Sequence, residues 1–185
     1  CIGSNESGTQ VVIGYSDDSF ILHDLRTKFK DRVRLEVGGH ENTVRSVAFS
    51  QNEGDFLCLS GGSDCKLKLW DLRQRKCIAD YGGNDKDIPM IDFELFHTDS
   101  IWAINPSSSF ESCFTGGRDG KIYHTDLVGE QSTLLYEQAG NPVNSVTHDE
   151  STNLLWFTNA NDSSIRYIDL NKRSLDKLQQ IQNEQ

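Results

Sequence analysis

Long apolar runs are missing from these 185 residues. Nothing approaches the roughly 18 consecutive apolar residues of a membrane-crossing helix, so no span is predicted. Positive charge is scarce as well: 18 Lys and Arg stand against 28 Asp and Glu, a formal net charge of -10. That balance argues against a nucleic-acid backbone as main ligand, because neutralising phosphates needs a surplus of cations. The basic clusters that do occur, Lys28-Phe29-Lys30-Asp31-Arg32-Val33-Arg34 and Arg73-Gln74-Arg75-Lys76, read as solvated hairpin loops. Five cysteines, Cys1, Cys58, Cys65, Cys77 and Cys113, lack the paired spacing of a zinc site, so no metal is predicted. Reduced thiols fit a protein that is cytoplasmic and nuclear. In such a compartment the glycosylation-like strings Asn5-Glu6-Ser7 and Asn161-Asp162-Ser163 are chance matches.

Catalytic motifs are missing too. There is no Gly-x-Ser-x-Gly elbow, no phosphate-cradling glycine loop and no metal-spaced histidine pair. The string Gly116-Gly117-Arg118-Asp119-Gly120-Lys121 is glycine-rich, but its aspartate would repel a phosphate, and its glycines read as hairpin geometry. The expectation is therefore a protein with no catalytic residues and no cofactor.

What is present is a repeat. Four times an aspartate is followed seven residues later by Asp-Leu: Asp17 to Asp24-Leu25, Asp64 to Asp71-Leu72, Asp119 to Asp126-Leu127, Asp162 to Asp169-Leu170. The first aspartates are 47, 55 and 43 residues apart, near the roughly 40–45 of a four-stranded propeller blade. Three residues after each stand Phe20, Leu67, Ile122 and Ile165, and five after stand Leu22, Leu69, His124 and Tyr167. This alternation predicts a strand with one buried face. Six and five residues before each aspartate come Val11-Val12, Cys58-Leu59, Cys113-Phe114 and Trp156-Phe157, a strand apolar on both faces and so sandwiched between neighbouring blades.

The predicted fold is all-β: a propeller of about four blades, a partial ring, each blade a four-stranded antiparallel sheet. Residues 1–38 form a partial repeat, 39–81 and 97–135 complete ones, 82–96 an inserted loop, 136–170 a degenerate repeat, and 171–185 a tail or the start of a further blade. The chain is expected to enter its first blade just before the second strand, with one partner strand missing. Propellers usually have about 4–8 blades, so this stretch alone is expected to fold poorly, with apolar faces and strand edges open.

The copy running from Gly39-His40 through Ser60-Gly61-Gly62-Ser63-Asp64 to Leu69-Trp70-Asp71-Leu72 resembles a WD repeat at every signature position. That resemblance implies a hydrogen-bonded series of Asp64, His40, Ser60 and Trp70. The third copy offers His97, Thr115 and Asp119, while the fourth has Ala139 at the histidine position and Thr158 at the serine position. In this family the residue before the turn aspartate and the residue five after the histidine face partners. Here these are Ser16, Ser63, Arg118 and Asn161, and Arg45, Trp102 and Asn144. Trp and Arg are the types most enriched at binding hot spots, and a Trp beside two arginines suits an acidic or carbonyl-rich partner.

The strings Cys58 to Asp64, Leu69 to Ala79 and Thr115 to Leu127 are similar to the WD repeat-containing protein 48 family, propeller cofactors that bind and activate ubiquitin-specific proteases. The resemblance implies a partner-binding face of Trp102, Arg118, Arg45, Ser63, Asn144 and Asn161. The face would grip the finger region of a protease catalytic domain, with Arg45 standing where the family has a lysine. A competing resemblance, Trp70-Asp71-Leu72-Arg73 with the degenerate His23-Asp24-Leu25-Arg26, is to substrate receptors of cullin-type ubiquitin ligases, which implies an adaptor surface around Arg26 and Arg73. A generic interaction scaffold is the third reading.

Overall fold

The computed structural model describes residues 1–26, 33–35, 39–50, 56–82, 96–129 and 131–173. The expected insertion at 82–96 and the tail at 171–185 lie almost wholly outside these residues.

Among the described residues fifteen strands form four antiparallel sheets, each a meander in chain order. The first blade comprises β1 (Ile2–Ser4), β2 (Gln10–Gly14), β3 (Phe20–Asp24) and β4 (Val33–Leu35). The second comprises β5 (Val44–Phe49), β6 (Leu57–Gly62), β7 (Leu67–Asp71) and β8 (Lys76–Tyr81). The third comprises β9 (Ile101–Pro106), β10 (Ser112–Gly117), β11 (Lys121–Asp126) and β12 (Gln131–Glu137). Three strands make the fourth: β13 (Val143–Asp149), β14 (Leu154–Asn159) and β15 (Ile165–Asp169). The molecule is a partial propeller. One expectation fails at its start: the first blade has all four strands, because Ile2–Ser4 pairs with Val11–Ile13.

Three apolar seams hold the blades together. Val12, Phe20 and Leu22 meet Val44, Phe49, Cys58, Trp70 and Leu72 between blades one and two, where the Phe20 and Trp70 rings stack at 5.2 Å. Leu59, Leu67 and Tyr81 meet Ile101, Phe110 and Cys113 at the second seam. Ala103, Phe114 and Ile122 meet Val143, Val146, Leu155 and Phe157 at the third. Each such side chain contributes about 1.5–3 kcal/mol when fully buried, so the seams dominate the stability of the assembly.

Glycines set how closely the blades approach. A Cβ on Gly14 would lie 2.5 Å from Val44, on Gly61 2.7 Å from Ile101, and on Gly116 2.6 Å from Val143. Each contact falls on the first residue of the next blade's innermost strand. Of the glycines in the string from Gly116 to Gly120, only Gly120 has the positive φ (78°) that hairpin geometry demands. Gly116 is instead required by packing, and Gly117 by the His97 ring, 2.4 Å from where its Cβ would stand.

The fourth blade departs from the register read off its aspartate. Phe157, not Thr158, lies opposite Val146, as Ser60 lies opposite Val47 in the second blade. The closing pair of the β14–β15 turn, Thr158 with Ile165, encloses one residue more than Gly14 with Phe20, Gly61 with Leu67 or Gly116 with Ile122. The extra turn residue displaces every side chain of β14 by one position and so exchanges its faces. Trp156 therefore corresponds to Leu59. In the earlier blades that position (Val12, Leu59, Phe114) is covered by the following blade, whereas Trp156 is 39% exposed and packs against Tyr167.

Candidate interaction site

Tight turns and the residues that brace them position the site. In the second blade Trp70 Nε1 donates to Ser60 Oγ at 2.8 Å, and Ser60 Oγ lies 2.7 Å from His40 Nε2. His40 Nδ1 is 2.9 Å from both carboxylate oxygens of Asp64. Asp64 also accepts the backbone N–H groups of Glu41 and Lys66. The third blade repeats the pattern: His97 Nε2 is 2.9 Å from Thr115 Oγ1, and Nδ1 is 3.0 Å from Asp119. Thr98 and Lys121 supply the backbone N–H groups. Thr125, standing where Trp70 stands, bonds to Ser132 instead. Burial pushes the Asp64 and Asp119 carboxyls upward, but the histidine and backbone hydrogen bonds outweigh it and hold both below the ordinary carboxylate range.

The fourth blade builds its brace differently. Ala139 takes no part; Asn141 Oδ1 accepts the Asn161 N–H, and Asn159 donates to the Asn141 carbonyl. Asp162 turns away from the loop to pair with Ser164 and Arg166.

These braces frame a rim marked by one recurring irregularity. Pairing of β5 with β6 skips from Val44 to Ser46, of β9 with β10 from Ile101 to Ala103, and of β13 with β14 from Val143 to Ser145. The skipped residues are Arg45, Trp102 and Asn144, each the second residue of the innermost strand of its blade. A bulge leaves its extra residue outside the ladder and re-aims its side chain. Arg45 and Asn144 are exposed and Trp102 is half-buried. Trp102 belongs to none of the three seams, whereas its neighbours Ile101 and Ile104 pack at the second.

The adjoining turns bring further polar groups. Arg45 Nε donates to Ser63 Oγ at 2.8 Å, and Thr43 Oγ1 donates to the Ser16 carbonyl. Arg118 Nε stands 3.7 Å from Asp99, with side chains 59% and 41% exposed, a loose pair worth about 0–1 kcal/mol. Asn161 donates to the Gly140 carbonyl and is exposed. Sequence reasoning found these residue types; the bulges that present them are visible only in the strand pairing.

On the opposite rim lie Arg26 and Arg73. Arg26 is 64% exposed but forms a two-pronged pair with Asp24, at 2.9 and 2.6 Å, which lowers the Asp24 carboxyl to about 2. The Arg73 guanidinium lies 4.0 Å from the centre of the Phe56 ring. Of the histidines outside the braces, His23 and His124 lie in third strands and His148 in β13. Among the described residues no cluster of three His, Cys, Asp or Glu is placed to hold a metal ion, and no helix is long and apolar enough to cross a membrane.

Comparison with known proteins agrees with this geometry. The family described as WD domain, G-beta repeat matches residues 32–71 and 93–126, which fall largely on the second and third blades. The chain is 31% identical over 136 residues to a protein of Neurospora crassa named small ribosomal subunit protein RACK1, covering 74% of this chain and 38% of that protein. It is 39% identical over 120 residues to LEC14B protein of Lithospermum erythrorhizon, covering 65% and 23%. A Caenorhabditis elegans protein named DDB1- and CUL4-associated factor 11 homolog is 27% identical over 127 residues, covering 69% and 20%. The chain thus spans well under half the length of these curated relatives.

Proposed function

With WD repeats in its second and third blades as the premise, we propose that this chain is a non-catalytic protein-binding scaffold. It receives an acidic or carbonyl-rich segment of a partner on the rim lined by Arg45, Trp102 and Arg118. The observation that carries this reading is the bulge at the same strand position in three successive blades. A single bulge is a local irregularity, but three in register present three side chains along one rim. Trp and Arg supply large contact area together with directional hydrogen bonds, which is why they dominate binding energy at interfaces.

The finer assignment is a cofactor of ubiquitin-specific proteases, supported by the strings at 58–79 and 115–127. Preferential binding to the productive state of the protease would activate it, and a tenfold effect needs a preference of only about 1.4 kcal/mol. A second reading, substrate receptor of a cullin-type ubiquitin ligase, is favoured by the name of the Caenorhabditis elegans relative and by Arg73 on the opposite rim. The test is to titrate a ubiquitin-specific protease domain with the full-length protein while following hydrolysis of a fluorogenic ubiquitin substrate. Binding of a cullin-ligase adaptor is measured in parallel with Arg73→Ala. Saturable activation supports the first reading, and adaptor binding lost in Arg73→Ala supports the second.

A further inference from the structure

A cavity of about 360 Å³ opens between the third and fourth blades on the rim opposite the bulges. Its size falls within the roughly 300–1,000 Å³ typical of small-molecule sites. Three aromatic rings form one wall: Phe114 stacks on His124 with centroids 4.8 Å apart and 26° between planes, and His148 lies 4.8 Å away on a tilted plane. Leu135 and Leu170 line it as well. Burial lowers the proton affinity of His124, so near neutral pH its ring behaves as an uncharged aromatic surface.

Arg173 also lines the cavity. Its guanidinium donates to the carbonyls of Leu134 and Leu135 on the outermost strand of the third blade, which fixes the plane of the fork and leaves further N–H groups to give. Arg26, Arg118 and Arg166 each sit beside a carboxylate; among the described residues Arg173 has none. In a chain with a net charge of -10, a cation held by carbonyls at the edge of an aromatic cavity is matched to an anion from outside. A guanidinium fork suits a carboxylate in particular, because two parallel N–H groups meet its two oxygens.

We infer that this cavity binds a small aromatic carboxylate, the ring lying among Phe114, His124 and the two leucines and the carboxylate meeting Arg173. The site lies on the far rim from the bulges and does not rest on the function proposed above.

Ligand-observed NMR and calorimetric titration of the full-length protein with 3-phenylpropanoate, 3-phenylpropanol and propanoate test this. Saturable binding of 3-phenylpropanoate is expected, with the alcohol at least about tenfold weaker, the difference a charge-assisted hydrogen bond makes, and no binding of propanoate. Arg173→Gln should bring the acid down to the level of the alcohol. Thr133→Trp, on the outermost strand and at the cavity lining, should fill the space and abolish binding of both, and it decides the matter if Arg173→Gln does not fold. Absence of saturable binding, equal binding of acid and alcohol, or undiminished binding by Thr133→Trp each overturns the assignment.

Discussion

The Ser60 hydroxyl stands between Trp70 Nε1 at 2.8 Å and His40 Nε2 at 2.7 Å. An indole N–H can only donate, so Ser60 accepts from Trp70. The Asp64 carboxylate can only accept, so His40 Nδ1 carries a proton and donates it to Asp64, and in the neutral imidazole Nε2 then accepts the Ser60 hydroxyl proton. The buried hydroxyl thereby ties the third strand of the blade to the loop before its first.

Removing a member of that series leaves the others buried and unpaired. Asp64→Ala is expected to destabilise the protein by roughly 1–3 kcal/mol, the cost of an unsatisfied buried group. Ser60→Ala should cost a similar amount, because Trp70 Nε1 and His40 Nε2 both lose their partner. Urea unfolding of the two single variants and the double variant checks this; coupling predicts that the double costs less than the sum.

Acid should weaken the same series. The folded carboxyls of Asp64 and Asp119 lie below their ordinary value of 3.8, so the unfolded chain binds protons more readily than the folded one. Their contribution is therefore fully present above about pH 4–5 and is lost as the pH falls through the folded values. Urea midpoints measured from pH 7 down to pH 3 should decline, and less steeply in an Asp64→Asn, Asp119→Asn double variant. An identical slope in that variant would show that other carboxylates carry the acid sensitivity.

Packing between blades makes a separate prediction. Gly61→Ala and Gly116→Ala place a Cβ 2.7 Å from Ile101 and 2.6 Å from Val143, and forcing a carbon into a filled seam costs about 1–3 kcal/mol. Thermal melting of each variant checks it. An unchanged melting temperature would mean that neighbouring blades can slide apart without loss.

Most of the framework was legible from the chain alone because its parts are close in sequence. Asp64, Trp70 and Ser60 fall within eleven residues, and the turn they brace fixes their spacing. What escaped depends on partners far away. Gly116 reads as a turn residue because Val143, the side chain that demands it, belongs to the next blade. Counting β14 from Asp162 crosses a turn one residue longer than in the other blades and so puts Thr158 at the position that Phe157 holds. In the first blade Ile2–Ser4 is too short to show any alternation, so its strand is not legible in the sequence. At the rim the residue types were readable, but that Arg45, Trp102 and Asn144 share a bulge follows only from hydrogen-bond pairing between strands.

The rim itself is expected to be separable from the fold. Trp102→Ala and Arg118→Ala should each weaken partner binding by about 1–4 kcal/mol. Their melting temperatures should stay close to wild type, because Trp102 lies outside the three seams and Arg118 makes one loose ion pair. If Trp102→Ala melts as low as Asp64→Ala, Trp102 supports the fold rather than a partner.

The most direct test is the affinity of the full-length protein for a ubiquitin-specific protease catalytic domain, with wild type, a Trp102→Ala, Arg118→Ala double variant and Arg73→Ala compared at one salt concentration. The proposed scaffold predicts saturable binding that falls at least about thirtyfold in the double variant and is unchanged in Arg73→Ala. Binding that survives the double variant, or is lost in Arg73→Ala, would contradict the assignment of the bulge-bearing rim as the partner surface.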